Sequence, residues 1–354
     1  MEQAAYRFCF DGVPIRCEPL GMGHINRTYQ IVTDRERRYV LQRISRTAFH
    51  DIPGLMENIA AVTAALAQRS PDPRSVLRLI PASDGGTFWT DGEGEAWRAF
   101  AYVEDSICLQ TPRDAGDFAQ SAAAFGRFQR LLRDFPAGTL HETIPDFHNT
   151  PARFRRFRQA LAADVCGRAA SVRPEIEFLL SREEECCRLQ ALRDSGELPL
   201  RVTHNDTKLN NVLLDAKTRQ ALCVIDLDTV MPGLVAYDFG DAIRFGASTA
   251  AEDETDLSRV SLSLPMFRAF ADAFIPACGG LTDREIETLP LGAKTITAEQ
   301  GLRFLTDYLE GDVYYSVSRP EHNLLRARTQ LRLVADMEKK WDGMQAAAAP
   351  YLNA

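Results

Sequence analysis

The stretch "HNDTKLNN" (residues 204–211) carries one His, one Asp, one Lys and three Asn in eight positions. "LPLRV" (198–202) precedes it and "VLL" (212–214) follows it, both apolar enough to be buried. So much polarity between two apolar segments has two explanations. It is an ordinary turn whose Asp and Asn satisfy local backbone groups, or a loop that faces a cleft from a packed base.

The spacing favours the second. Phosphoryl transfer asks little covalent chemistry of a protein. It needs a carboxylate near the accepting hydroxyl, cations on the phosphates and ligands for magnesium. A catalytic loop of the form H-x-D-x-x-x-x-N provides them. Here His204 and Asp206 are followed by Asn211 at that spacing, and Lys208 stands two residues beyond the Asp, where its ammonium could meet a transferring phosphate. Next comes "LCVIDLD" (222–228), an apolar strand ending in Asp226 and Asp228. A carboxylate at a buried strand end is well placed for magnesium, which prefers oxygen ligands. The intervening "DAKTRQ" (215–220) gives room for a hairpin that brings the loop Asp and the strand-end Asp side by side. Asp228 reads equally well as a surface strand-end residue. A literal "DFG" at Asp238–Gly240 is a decoy. It follows "TVMPGLVAY", a loop with Pro and Gly, so magnesium is assigned to Asp226 and Asp238 is expected to brace the loop by hydrogen bonds.

Toward the N-terminus the signals are those of strands. "TYQIVT" (28–33) and "RYVLQRI" (38–44) flank "DRER", a hairpin with a short loop. "TFWT" (87–90) and "EAWRAFAYV" (95–103) flank "DGEGE", a second hairpin with glycine turn chemistry. Between them Ile52, Leu55, Met56, Ile59, Val62 and Leu66 recur at helical spacing, with Pro53 in the first turn. Gly21 and Gly23 sit just before the first strand, where backbone could approach nucleotide phosphates or simply turn tightly. His24 follows them, as a structural His or as a residue facing the cleft.

After residue 105 helices dominate. Phe118, Ala122, Phe125, Phe128 and Leu132 share one helical face. Ile176, Leu179, Leu180 and Leu189 suggest a second long helix, and Leu324, Leu325, Leu331, Val334 and Trp341 a further one. "SICLQTP" (106–112) looks like the crossing between two parts. The expected fold class is therefore α+β, with a small N-terminal antiparallel-sheet lobe over 1–105 and a larger, mainly helical lobe over 106–354. A cleft between lobes is a favoured ligand site.

Composition narrows the partners. The chain has 354 residues, 45% hydrophobic and 25% charged, with a net charge of −8. It reads as an ordinary globular protein without the basic patch a nucleic-acid partner would favour. No run approaches a membrane span, and "MEQAAYRFCFDG" lacks a signal-peptide pattern, so a cytoplasmic location is expected. The eight cysteines show no CxxC, and Cys186 and Cys187 are adjacent, which suits reduced thiols better than a disulfide framework or a zinc site.

"HNDTKLNNVLLD" with "VIDLDTVMPGLVAYDFGDAIRFGA" resembles the aminoglycoside phosphotransferase and choline kinase superfamily, and within it the bacterial N-acetylhexosamine 1-kinases. "GMGHINRTY", "YVLQRIS" and "LMENIAAVT" resemble the same group, so the likeness runs over most of the chain. It implies a bilobal protein-kinase-like fold with ATP between the lobes. It implies Asp206 as catalytic base and Asn211 and Asp226 as Mg2+ ligands. An amino sugar would lie near Asp206, contacted by His24, Arg303 in "GLRF" and Tyr314 in "DVYYS"; packing is the other reading of these three. The adenine edge would meet backbone near "FAYVE" (100–104), at Ala101 and Val103. One departure matters: the small-lobe strand usually carries a phosphate-binding Lys where "YVLQ" has Gln42. A neutral amide does not replace that charge, and by strand alternation Arg43 should point the other way. Phosphate neutralisation would then lean on magnesium and Lys208. The implied activity is ATP-dependent phosphorylation of the C1 hydroxyl of GlcNAc or GalNAc by a monomer or homodimer. An aminoglycoside or other small-alcohol kinase, and a nucleotide-binding pseudokinase without turnover, are the rivals.

Overall fold

The computed structural model describes residues 2–21 and 25–352. Along the chain run α1 (Glu2–Ala5), β1 (Pro14–Pro19), β2 (Arg27–Thr33), β3 (Arg38–Arg43), α2 (Ile52–Arg69), β4 (Leu79–Ile80), β5 (Trp89–Thr90), β6 (Ala96–Ala101) and β7 (Ser106–Cys108). There follow α3 (Ala115–Leu131), α4 (Thr150–Ala163), α5 (Arg173–Leu180), α6 (Glu183–Cys186), α7 (Arg188–Asp194), β8 (Arg201–Thr203), β9 (Val212–Asp215), β10 (Ala221–Val224) and β11 (Met231–Gly233). The C-terminal part holds α8 (Val235–Gly246), α9 (Leu264–Cys278), α10 (Asp283–Glu310), α11 (His322–Lys339) and α12 (Trp341–Ala348).

The chain forms two compact units. One comprises the residues up to Cys108, Leu131–Pro145 and Asn211–Pro232; the other comprises Leu109–Arg130, Asp146–Asn210 and the chain from Gly233 on. The first is built on an antiparallel sheet in the order β1-β2-β3-β6-β4, with β5 also paired to β6. Both hairpins read from the sequence form. Ile31 faces Tyr39, and Leu41 faces Tyr29 and Ala99, so one sheet face presents a continuous apolar surface. Ala4, Ala5, Phe8, Ile80, Ala82 and Trp97 complete that cluster. Residues Ala96 to Phe100 are all buried, as suits a strand covered on both faces. The helix over 52–66 forms as α2. Asp51 caps it by accepting from Gly54 N at 3.0 Å, and Pro53 occupies the first turn, where its missing N–H costs nothing. The hairpin through 215–220 forms too: β9 and β10 pair antiparallel, and β7 adds on the other side of β9. The segment 106–112 is therefore not wholly a crossing, because its first three residues are a strand.

The second unit is helical. α10 is 28 residues long and starts with a capping box between Thr282 and Glu285. It is buried nearly all round, as expected of a helix at the centre of a bundle. α8 crosses it at glycines. A Cβ on Gly240 would lie 2.4 Å from Gly292 O, and one on Gly292 2.3 Å from Ala236 O, so no larger residue fits this backbone approach. Phe239 meets Phe267, Phe270 and Phe274 of α9 edge-to-face beside the crossing.

Two helix expectations are corrected. The run from Ile176 to Leu189 is three short helices, α5 to α7. The backbone leaves regular helix after Leu180 and again at Cys187, where apolar side chains still fall on the core side, so the spacing survives the breaks. Trp341 opens α12 instead of closing α11. All eight cysteines are free. Among the described residues no helix is long and apolar enough to cross a membrane.

Candidate active site

The loop from His204 to Asn211 is held by carboxylates of α8. Asp238 is fully buried at the start of that helix. Its Oδ2 accepts from His204 N at 3.0 Å and from Gln129 Nε2 at 2.7 Å, and its Oδ1 accepts from Asn205 N at 2.8 Å. Thr207 Oγ1 donates to the Asp238 carbonyl at 2.6 Å. One turn further on, Asp241 Oδ2 accepts from Thr207 N at 3.0 Å. Asp238 and Asp241 share a helix face, and their oxygens take up successive loop amides that no strand or helix satisfies. The His204 ring is buried edge-on to Phe125 and Phe128. Asn205 takes φ 62°, a left-handed conformation that Asn tolerates. The loop is thus packed on one side, with Asp206 and Lys208 left half-buried.

Lys208 Nζ lies 2.6 Å from Asp206 Oδ1. Burial opposes its charge, but Asp206 and Asp241 outweigh this and hold the lysine above its ordinary pKa. Burial likewise opposes charge on Asp241; Arg244 and Lys208 overcome it, and the carboxyl is held below its usual value. Burial pushes Asp238 up, against the hydrogen bonds from Asn205 and His204. The expected bracing role of Asp238 is what its bonds describe.

Asn211 and Asp226 lie in the other unit. Ile225 N donates to Asn211 O at 2.9 Å, which fixes the two segments together by backbone. β10 ends at Val224, so Asp226 is not the last residue of a strand. It stands just past it at φ 60°, ψ 61°, heading the single 3-10 turn Leu227–Thr229. Its side chain is exposed, whereas Asn211 is buried. As metal ligands both would offer oxygen, which suits a hard cation that keeps several waters and binds phosphates. Asp228 is a buried residue of that 3-10 turn, not a surface strand end: it is 4% exposed and paired with Arg98.

Gln42 also has a partner that sequence reasoning missed. Arg98 lies opposite it in register, and Arg98 Nε donates to Gln42 Oε1 at 2.9 Å. Arg43 points away, as expected, toward Glu95. A signal was present: Arg98 is the one charged residue inside the otherwise apolar "AWRAFAYV" (96–103). Of the other nucleotide-side residues, Gly21 takes φ 72°. Ala101 N donates to Arg78 O at 2.8 Å, and Val103 O accepts from Ser106 Oγ at 2.7 Å. Gly23 and His24 lie outside the described residues.

Arg303 and Tyr314 are brought together. They line a pocket with Arg153, Arg156, Thr306, Asp307, Glu310 and Tyr315. Its carboxylates are engaged. Asp307 accepts from the backbone N of Val313, Tyr314 and Tyr315 and from Asn323, and Glu310 accepts twice from Arg156. Arg303 Nη1 donates to Gln300, and its guanidinium lies over the Phe147 and Tyr315 rings. Arg153 donates to Phe147 O, while its buried Nε has no hydrogen-bond partner. Burial and then the nearby Arg303 lower the Arg153 pKa. Three guanidinium groups thus share one pocket; Arg156 is paired with Glu310, and among the described residues Arg153 and Arg303 are not ion-paired.

A family model described as "APH: Phosphotransferase enzyme family" matches residues 16–270. The chain belongs to that phosphotransferase family. Solved structures agree on the fold. A microcompartment-associated aminopropanol kinase superposes with a TM-score of 0.66 at 20% identity, covering 97% of each chain. An aminoglycoside phosphotransferase from Alicyclobacillus acidocaldarius gives 0.59 at 14% identity, over 96% of this chain and 92% of its own. The amicoumacin kinase hAmiN, solved with AMP-PNP, Ca2+ and Ami, gives 0.57 at 12% identity, over 96% and 92%. This phosphotransferase therefore has the α+β kinase-like fold expected from its sequence, and the chemistry of its family is phosphoryl transfer to small molecules. The substrate is not fixed by these likenesses.

Proposed function

We propose that this phosphotransferase transfers the γ-phosphoryl group of ATP to the anomeric C1 hydroxyl of an N-acetylhexosamine, giving the sugar 1-phosphate and ADP. The observation that carries the acceptor assignment is the charge of the Arg303 pocket. An aminoglycoside or amino alcohol is a cation and calls for unpaired carboxylates. Here both carboxylates are engaged by protein donors, and two of the three guanidinium groups, those of Arg153 and Arg303, have no carboxylate partner among the described residues. A neutral, acetylated sugar offers carbonyl and hydroxyl oxygens to such donors. Buried donors of this kind reject a ligand that leaves them unpaired.

In this reading Asp206 accepts the proton of the C1 hydroxyl as its oxygen attacks the γ-phosphorus, and the bond to the ADP oxygen breaks. Lys208, with its Nζ 2.6 Å away, pairs with Asp206 and orients its carboxylate. Asn211 and Asp226 hold Mg2+, which when bound neutralises charge on the phosphate oxygens. Gly21, Gly23, Gln42, Ala101 and Val103 meet the nucleotide within residues 1–105. His24, Arg303 and Tyr314 meet the sugar, the latter two within 106–354. The neighbour solved with AMP-PNP and Ca2+ supports a nucleotide with a divalent metal. A cytoplasmic setting, where ATP is supplied, fits the reaction.

The test is product structure. Incubation with ATP, Mg2+ and GlcNAc or GalNAc should give a product whose phosphorus NMR couplings place the phosphate on C1. A 6-phosphate, a 1-deoxy sugar phosphorylated as readily, or faster turnover of aminopropanol, choline or an aminoglycoside would refute the acceptor assignment. No turnover with any of them would favour the pseudokinase.

A further inference from the structure

Asp228 lies two residues beyond Asp226 and gathers an unusual number of elements of its own unit. Its Oδ1 meets Arg98 Nη1 of β6, and its Oδ2 accepts from Asn26 Nδ2 at 2.5 Å. Its carbonyl accepts from Thr143 Oγ1 at 3.3 Å. Arg98 Nε continues to Gln42 Oε1 of β3, and Gln42 Nε2 to Thr28 Oγ1 of β2 at 3.1 Å. Asn26, at the entry to β2, also accepts from Ser45 N at 2.9 Å just past β3. One residue past the 3-10 turn, Val230 O accepts from Asn58 Nδ2 of α2 at 3.1 Å. Arg98 is 1% exposed and Asp228 4%.

A buried ion pair is weak evidence for stability, since apolar residues of similar volume often serve as well. What this pair does supply is geometry. Asp226 holds a left-handed backbone that a non-glycine residue keeps only when its surroundings over-determine it. Among the surroundings that do so are the bonds on Asp228 and Val230, immediately downstream.

We propose that Arg98 and Asp228 are positioning residues: their buried pair, with Asn26, fixes the turn that presents the Asp226 carboxylate to a nucleotide-bound divalent cation. The proposal rests on the reading of Asp226 as a metal ligand. Neither residue touches the ion. They act as outer-shell partners do, by fixing where a ligand oxygen points.

The experiment is Mn2+ binding, followed by electron paramagnetic resonance in the presence of AMP-PNP, so that no acceptor or turnover enters. The variants are Arg98→Met/Asp228→Leu, which removes both charges together, and Asn26→Ala, which removes one bond to Asp228 and leaves the pair in place. Metal-free AMP-PNP binding and thermal melting are measured beside them. Loss of an outer-shell partner typically costs roughly 10–100-fold in metal affinity. The double variant should lose that much and Asn26→Ala a smaller factor, with metal-free nucleotide binding unchanged. Asn26→Ala decides the matter if the double variant does not fold. Wild-type Mn2+ affinity in these variants, with Asp226→Asn impaired, would overturn the positioning role alone. Wild-type affinity in Asp226→Asn as well would remove the metal reading beneath it.

Discussion

Replacing Asp238 by Asn tests whether α8 holds the loop that carries Asp206. The carboxylate is fully buried and accepts three hydrogen bonds, two from loop amides and one from Gln129. Asparagine keeps one acceptor oxygen. Placed where Oδ2 stands, that oxygen retains the bonds from His204 N and Gln129 Nε2. Its amino group then faces Asn205 N–H, donor against donor. One charge-assisted bond is lost, worth about 1.5–3 kcal/mol, and a buried N–H is left unsatisfied at about 1–3 kcal/mol. Relief of the buried charge returns part of this, because burial already pushes the Asp238 carboxyl up. A net destabilisation of about 2–4 kcal/mol is expected. The peptide that displaces Asn205 also carries Asp206, so turnover should fall even where the protein is folded. Urea unfolding gives the stability, and ATP turnover across a Mg2+ titration gives the second readout. Wild-type stability together with wild-type turnover would refute the bracing role. Full rescue of turnover by added Mg2+ would mean that Asp238, not Asp226, is the metal ligand.

Asp226→Asn should leave the melting temperature close to wild type, since its side chain is exposed, while Mg2+-dependent nucleotide binding by calorimetry is lost. Asp206→Asn should fold and bind nucleotide but turn over ~10²–10⁴-fold more slowly, the usual worth of a positioned base; near-normal rates would remove it from that role. Arg303→Ala should raise the acceptor KM with little change in the KM for ATP, measured by steady-state kinetics; the reverse pattern would place Arg303 on the nucleotide. Asp241 and Glu299 are buried with pKa values held below their ordinary 3.8 and 4.5, so the stability they contribute is present above those values and lost as pH falls through the lowered ones. Thermal melts across this acid range should show that loss, reduced in Glu299→Gln, and with Asp238 working in the opposite sense because its pKa is raised.

The small sheet was legible because its signals are local. Alternation in "TYQIVT" and "RYVLQRI", four polar residues between them and Gly-rich "DGEGE" mark both hairpins. α2 was legible from a single apolar stripe. α10 was not. It is buried on every side, and its interior contacts include Lys294, Thr295, Thr297 and Glu299, so no apolar face stands out against a polar one. Glu299 is held by His148 and Thr150, far off in sequence, and that pairing has no local signature. The polar loop itself was readable from spacing, as was a supporting role for Asp238. Asp241 was missed although it lies one turn from Asp238 on the same helix. Arg98 was missed because a lone arginine in an apolar strand reads as an edge or an error until its partner on a distant turn is known.

The two aspartates that compete for the metal role, Asp226 and Asp238, differ in what their surroundings leave for a ligand. Asp238 spends both oxygens on protein donors, so coordinating a cation would cost it loop amides that have no other acceptor. Asp226 has an exposed side chain beyond a hairpin, on a backbone conformation that turns it out of the strand. The glycine crossing of α8 and α10 bears on the same division. Because Gly240 and Gly292 let the helix backbones close up, α8 sits deep in its unit, and the carboxylates of Asp238 and Asp241, two residues before and one after Gly240, are both buried. A helix at that depth can hold a loop but has little room for a hydrated ion. The literal Asp-Phe-Gly triplet therefore marks the brace, and this supports the proposal that gives the metal to Asp226, just past the hairpin.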